Sequence, residues 1–530
     1  MLSGHRWMKS VRLGVLLGIV LAGFTTSSLR ANPAPGADDQ IKLLVKQADK
    51  LSRDANYDDA EKLLRQAVAL DATRTDTRLS LACVLAKERN LLEAYNISYE
   101  IAQKEKDNAH AFAVLGLTLL NGGRFKEAEY ILYNALRLNR KEHLAWASAA
   151  MLDFFMNRID DSLANINEAV MYLPDEPDYL FAKAQISARA ERYEEAADAY
   201  KSYLMVSKNT DTDRRARIKG LVDFLEFLGS SSKLYVPIAS DETSVKFELE
   251  GNRPFVTVRI NKDATPLRFV LDTGSGITVL SEDAAKKLKI KPVARGGFAR
   301  GIGGDGKFEI VYGLLKQVDI GAVAVRNVPI YIRRFHKDSN SNVDGYVGLA
   351  LISKFLTTID YGTQTFSLTR KETASQQFQA ADDLSLPLRL TSSGFLSGEV
   401  QLQGYETPLN FIVDTGASVS VISDNVAKAE GISAFVNPLK LRVIGSAGVT
   451  DNVSTYKLPS VTFGKHTQND ITAIALDLDV INETSGFEQA GILGGNFLNN
   501  YKLTFDFRNS KVIFTPIDRK DPKDLIDRQQ

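Results

Sequence analysis

FVLDTGSGITVLS, from Phe269 to Ser281, and FIVDTGASVSVIS, from Phe411 to Ser423, are two versions of one segment within a single chain of 530 residues. Their Asp-Thr-Gly turns lie 142 positions apart, at Asp272 and Asp414. One such turn between apolar runs is an ordinary tight bend. Two with matching flanks point to a chemistry that needs two carboxylates. The match extends outward: TPLRFVLDTG from Thr265 aligns with TPLNFIVDTG from Thr407, Ala285-Lys286 with Ala427-Lys428, and Ile290 with Ile432. Further on, DGYVGLALISKFLTTIDY from Asp344 parallels AGILGGNFLNNYKLTFDF from Ala490 at an offset of 146. Stretches such as FVTVRI and KFEIVYG alternate apolar and polar residues between glycines, the pattern of short half-buried strands. Residues 246–370 and 389–518 thus read as two copies of one all-β lobe. A connection over 371–388 joins them, and a polar tail follows from 519 to 530.

Ahead of the lobes the period changes. Tyr57, Leu91, Phe125, Ile159 and Tyr193 recur every 34 residues, and Ala60, Ala94, Ala128, Ser162 and Ala196 recur three positions later. The clearest unit, AFAVLGLTLLNGGRFKEAEYILYNALRLN from Ala111, holds two amphipathic helical patterns separated at Gly122-Gly123. This resembles the tetratricopeptide repeat in its 34-residue period and in its Leu115-Gly116 and Ala128 positions. Five units over 41–208 imply an α-solenoid of helix-turn-helix repeats. Arg214 to Gly229 reads as its capping helix, so that the array spans 41–229. The resemblance implies a protein-docking surface; a plain structural spacer is the blander reading. Residues 230–245, opening with Gly229-Ser230-Ser231-Ser232, read as a linker.

The order of parts in each lobe resembles the retropepsin-like aspartic peptidases. In copy one these are Asp272-Thr273-Gly274, the loop GIGGDG from Gly301 to Gly306, and YVG ending at Gly348. In copy two they are Asp414-Thr415-Gly416, IGSAG from Ile444 to Gly448, and ILG ending at Gly494. The resemblance implies a pseudo-two-fold pair of β-barrel lobes in which Asp272 and Asp414 share one proton and activate a water against a peptide bond. Two carboxyls about 3 Å apart cannot both ionise, which is the physical basis of that sharing. It also implies that Thr273 and Thr415 hydrogen-bond across the axis. Gly274 and Gly416 let backbone approach a carboxyl. Ser275 follows the first turn and Ala417 the second; if the copies pair, the Ser275 hydroxyl favours a charged Asp272 and leaves the proton on Asp414. Ile302, Gly303 and Gly304, with Gly445, Ser446 and Ala447, are expected at the tips of flaps that close over an extended peptide. A phosphate loop is the rival reading of GIGGDG, but such a loop runs directly into a helix, whereas KFEIVYG alternates like a strand.

Lys plus Arg and Asp plus Glu number 65 each, so no bulk field draws this chain to nucleic acid. Arg6, Lys9 and Arg12 precede the apolar run Leu13–Phe24, and small or polar residues follow to Ala31. That layout over 1–31 is a secretory signal, with an uncleaved membrane tether as the alternative. It implies a periplasmic or extracellular protein, inner-membrane anchored if the tether is kept. Cys83, the one cysteine, reads as a buried core thiol. The five histidines are scattered, His336 and His466 reading as solvated surface positions, and no metal or organic cofactor is implied. Trp146 and Tyr203 read as repeat core. The expectation is an exported aspartic endopeptidase whose repeats recruit a protein substrate or partner. A peptide-binding or scaffold protein without turnover is the alternative. Sequence leaves open whether the lobes pair within one chain or between two.

Overall fold

The computed structural model describes residues 36–303, 307–335, 342–371 and 385–517. The signal or tether over 1–31, Gly304, His336, most of the 371–388 connection and the tail from 519 lie outside the described residues. Two units emerge. The first takes the described residues up to Asp153 with Ile159–Ala190 and Asp198–Thr212. The second takes Phe154–Arg158, Glu191–Ala197 and the described residues from Asp213 onward.

Ten helices form five consecutive hairpins among the described residues: α1 (Ala37–Arg53) with α2 (Tyr57–Leu70), α3 (Thr75–Lys87) with α4 (Leu91–Lys104), and α5 (Ala109–Asn121) with α6 (Phe125–Leu138). Then come α7 (His143–Phe155) with α8 (Ile159–Tyr172), and α9 (Pro177–Arg189) with α10 (Tyr193–Val206). The small-residue register explains the pairing. Ala60, Ala94, Ala128, Ser162 and Ala196 are all fully buried, so each second helix presents a narrow face to its neighbour. Gly116 on α5 shows how close that approach is: a Cβ there would lie 2.5 Å from Leu132 Cδ2 on α6. Within the first unit the two ends of the array also meet. Arg53 pairs with Glu176 at 3.1 Å, Lys87 with Asp178 at 2.5 Å, and Asn209 donates to Asp54. Cys83 is half-buried on α3, and burial of its sulfur pushes the thiol up. Tyr203 is core, as read. Trp146 keeps partial exposure and donates its Nε1–H to Arg140 O at 2.8 Å.

In the second unit, strands Arg253–Ile260, Leu267–Leu271, Gly345–Val347, Thr278–Ser281, Val323–Arg333 and Lys307–Ile320 pair in that order, and the last pairs back with the first. Lobe 1 is therefore a closed barrel. Lobe 2 repeats the circuit with Leu396–Leu402, Leu409–Val413, Gly491–Leu493, Ser420–Ser423, His466–Leu476 and Val449–Phe463. Closure removes the free edges that short strands otherwise expose. A third sheet joins the lobes. Phe355–Asp360 of lobe 1 runs antiparallel to Tyr501–Asp506 of lobe 2, with Thr358 opposite Thr504 and their hydroxyls 3.2 Å apart. The two copies thus pair with each other within one chain.

Two readings, the 230–245 linker and the surface position of His466, differ from the structure. The linker expected over 230–245 folds into lobe 1: Val236–Ala239 pairs with Val323–Arg326, and Glu242–Lys246 pairs with Thr365–Thr369. Pro237 is tolerated because its strand lies at a sheet edge. The helix read as the cap, α11 (Thr212–Gly229), follows the last repeat hairpin and also packs, from Asp213 onward, with the β-rich unit. Its Phe224 stacks on Tyr312 at 4.5 Å, Gly220 lies against the backbone of Arg295, and Arg217 donates to Phe298 O at 3.2 Å. His466, expected on the surface, is 5% exposed, its ring 5.0 Å from that of Tyr501. Burial outweighs the charged neighbours in sequence because its strand turns the ring inward.

Candidate active site

Each Asp-Thr-Gly turn leaves the end of a buried strand, Leu267–Leu271 in lobe 1 and Leu409–Val413 in lobe 2. Each strand lies parallel to the short strand that carries the distal glycine motif, Val347 opposite Leu271 and Leu493 opposite Val413. That neighbour anchors the turn. Asp272 N donates to Val347 O at 3.1 Å, and Asp414 N to Leu493 O at 3.0 Å.

The two turns meet at the axis and lock together. Thr273 N donates to Thr415 Oγ1 at 3.1 Å, and Thr415 N to Thr273 Oγ1 at 3.0 Å. Each hydroxyl in turn donates across the axis, Thr273 to Val413 O at 2.6 Å and Thr415 to Leu271 O at 2.7 Å. Both threonines are fully buried, so every donor in this crossed bridge is satisfied where water cannot reach. The bridge brings the carboxyls of Asp272 and Asp414 into hydrogen-bonding contact. Gly274 and Gly416 have to be glycine for that contact. A Cβ on Gly274 would lie 2.7 Å from Asp414 Oδ1, and one on Gly416 2.7 Å from Asp272 Oδ1.

The carboxyls are not equivalent. Gly274 N donates to Asp272 Oδ1 at 2.9 Å, and the Ser275 hydroxyl donates to Oδ2 at 2.6 Å. Asp414 accepts from Gly416 N at 2.7 Å, and Ala417 stands where a second hydroxyl would be. Both side chains open partly to the cleft, yet burial dominates and pushes both carboxyls up. At Asp272 this is opposed by Ser275, by the bond to Asp414, by Gly274 N and by the positive charge of Arg253. At Asp414 the Asp272 charge adds to burial, and although the backbone N–H groups of Gly416 and Ala417 oppose this, the carboxyl is held well above the usual carboxylate range. The unequal partners thus favour the charged form at Asp272 and the protonated form at Asp414.

Above the dyad the hairpin Pro292–Arg300 with Lys307–Ile320 extends from lobe 1, and Val436–Ile444 with Val449–Phe463 from lobe 2. Their tips join. Ala447 N donates to Ile302 O at 2.9 Å and Ile302 N donates to Ser446 Oγ at 3.2 Å, while Gly445 N donates to Gly448 O at 2.8 Å within the lobe 2 tip. Gly303 lies against Gly448 O with a positive φ of 91°. All the site residues read from sequence are thus brought together, except Gly304, which is outside the described residues. Sequence reading missed Arg253, Arg333 and Tyr346, whose side chains lie within the electrostatic reach of Asp272. The offset of 146 that aligns Tyr346 with Ile492 was the available signal for one of them.

Residues 256–351 and 398–497 match the family described as Aspartyl protease, and residues 148–213 match the Tetratricopeptide repeat family. The chain carries a two-copy aspartyl protease domain and a tetratricopeptide-repeat region. Among solved structures it is similar to a thermophilic TPR protein of Thermus thermophilus, at 17% identity over 34% of this chain and 98% of that one, with a TM-score of 0.30. It is also similar to pilF of Pseudomonas aeruginosa, at 15% identity over 37% of this chain and 90% of that one, with a TM-score of 0.27. No curated protein matches the chain.

Proposed function

We propose that this chain is an exported aspartic endopeptidase, with Asp272 as general base and Asp414 as general acid. The observation that supports it above all others is the crossed threonine bridge, which holds two half-buried carboxyls together with unequal partners. A cleft that only bound peptide would gain nothing from forcing two acids together against their repulsion. In the reaction, Asp272 removes a proton from a water as its oxygen attacks the scissile carbonyl carbon. Asp414 gives its proton to the carbonyl oxygen, producing a neutral tetrahedral diol. Asp272 then returns the proton to the amide nitrogen, the C–N bond breaks, and Asp414 recovers its proton from the diol. Flap backbone around Ile302 and Ala447 pairs with the extended substrate, the tips parting to admit it.

The repeats recruit the protein substrate or a partner. Tyr130 and Tyr133 on α6, 68% and 67% exposed, offer large amphipathic contacts of the kind that anchor interfaces. Export rests on the charged and apolar layout of residues 1–31, and cell fractionation checks it. The activity is tested with a peptide library and the full chain. Asp272→Asn and Asp414→Asn should each lower kcat by about 10²–10⁴-fold, the usual scale of a lost acid or base. Cleavage undiminished in either variant would remove the dyad.

A further inference from the structure

The duplicated lobes place equivalent residues at equivalent points around the cleft, so each position can be compared with its counterpart. Four of the differing pairs sort the cleft chemically. Next to the dyad stand Ser275 in lobe 1 and Ala417 in lobe 2. Beside the Asp-bearing strand, Tyr346 lies opposite Val270, while Ile492 lies opposite Ile412. At the end of the following strand, Arg333 lies opposite Ser281, while Leu476 lies opposite Ser423. At the second residue beyond the first flap strand, lobe 1 has Ile302 and lobe 2 has Ser446.

The flap tips cross, which sorts these residues into two walls. Ile302, from the flap of lobe 1, packs with the apolar cluster of lobe 2 that contains Leu476 and Ile492, with Ala417 against its margin. Ser446, from the flap of lobe 2, turns its carbonyl to lobe 1, where it accepts from the Arg333 guanidinium. That guanidinium lies 3.8 Å from the centre of the Phe308 ring, and its Nε is buried with no hydrogen-bond partner among the described residues. Tyr346 faces the same space, its hydroxyl within the field of both Asp272 and Asp414, with Phe335 edge-on at 5.2 Å. One wall is therefore apolar at each of the four compared positions. The other carries a cation, a phenol and two hydroxyl groups, and its cation has a donor left over.

We propose that the cleft is chemically one-sided: the subsite on the lobe 1 wall takes a carboxylate side chain of the substrate on Arg333, and the subsite on the lobe 2 wall takes an aliphatic one. The two residues that flank the scissile bond differ accordingly, one acidic and one apolar, and the substrate has one direction of entry. A homodimer of identical lobes would present the same wall twice. Arg333 is a specificity residue here, outside the proton transfers. The proposal rests on the peptidase reading above.

The test uses the full chain and a proteome-derived peptide library at about pH 5.5, where a substrate Glu is ionised, with cleavage sites read by mass spectrometry. Glu or Asp is expected at one flanking position and Leu, Ile or Val at the other. Two peptides that differ only by Glu or Leu at the acidic position should differ about ten- to hundredfold in kcat/KM, the scale of a hydrogen bond to a charged group. Arg333→Leu, which installs the lobe 2 residue, should abolish that ratio while Leu-peptide cleavage continues. Aliphatic preference at both positions, or an acidic preference unchanged in R333L, overturns the proposal and leaves the peptidase standing. If no peptide is cut, the peptidase reading falls alone. The same pair, fluorescein-labelled, is then measured by anisotropy: Glu-peptide binding about tenfold tighter to wild type and not to R333L sustains the subsite, and equal binding removes it.

Discussion

Asp272 of lobe 1 is held by a backbone N–H and a serine hydroxyl, whereas Asp414 of lobe 2 has backbone N–H groups and a methyl group where the hydroxyl would be. The threonines one residue later are matched bond for bond. The lobes are thus alike where they hold each other and unlike where a substrate or a proton would distinguish them. Symmetry serves assembly, since each crossed bond needs its mirror. Asymmetry serves chemistry, since general acid and general base are different tasks. The flaps follow the same division. The lobe 1 flap is braced by α11, while the outer strand of the lobe 2 flap presents Val436 and Leu439, 53% and 56% exposed.

The comparison can be broken at its symmetric part first. Gly274→Ala and Gly416→Ala each put a methyl against the opposite carboxylate, and each should lower kcat by about a hundredfold through misplacement of the dyad. A large effect from one glycine alone would mean that the turns are not interchangeable, and steady-state kinetics on both variants decides. Thr273→Val and Thr415→Val come next. Each orphans a buried N–H and carbonyl, at a cost of about 1–3 kcal/mol, and thermal melting should show similar losses for both. Unequal losses would show that the bridge is less balanced than its distances.

Two pH experiments then sharpen the asymmetric part. Asp414 has its pKa raised on folding, so the folded state binds more protons than the unfolded one, and stability falls as pH rises from the ordinary Asp value of 3.8 through the raised one. Asp414→Asn lacks that titration. Its melting temperature should therefore gain on wild type progressively from pH 4 to pH 8, and a constant difference would place the proton elsewhere. The smallest effect is expected from Ser275→Ala. Loss of the hydroxyl raises Asp272, so the acidic limb of the pH–rate profile moves upward, while Ala417→Ser leaves that limb in place. An unmoved limb in S275A would leave the two carboxyls without a basis for different roles.

Much of this architecture was legible because duplication prints itself twice. The repeat register at Ala60 to Ala196 and the paired Asp-Thr-Gly turns are periodic signals, and each burial or contact they imply is local or repeated. What escaped was set by tertiary partners. Val236–Ala239 looked like linker because its pairing partner lies far along the chain at Val323–Arg326. The apolar residues of α11 say that it packs, and nothing in them says that it packs against Tyr312. Arg333 sits in a strand whose alternation marks the residue as outward. Only the crossing of the lobe 2 flap tip turns outward into the cleft.

The sheet in which Phe355–Asp360 meets Tyr501–Asp506 has a further consequence. Partners joined by one polypeptide see each other at a fixed effective concentration, whatever the amount of protein present. Specific activity should then stay constant on dilution, where an enzyme assembled from separate halves would fade. A substitution in either half also enters the cleft once rather than twice, so each wall is free to change without imposing the same change on its opposite.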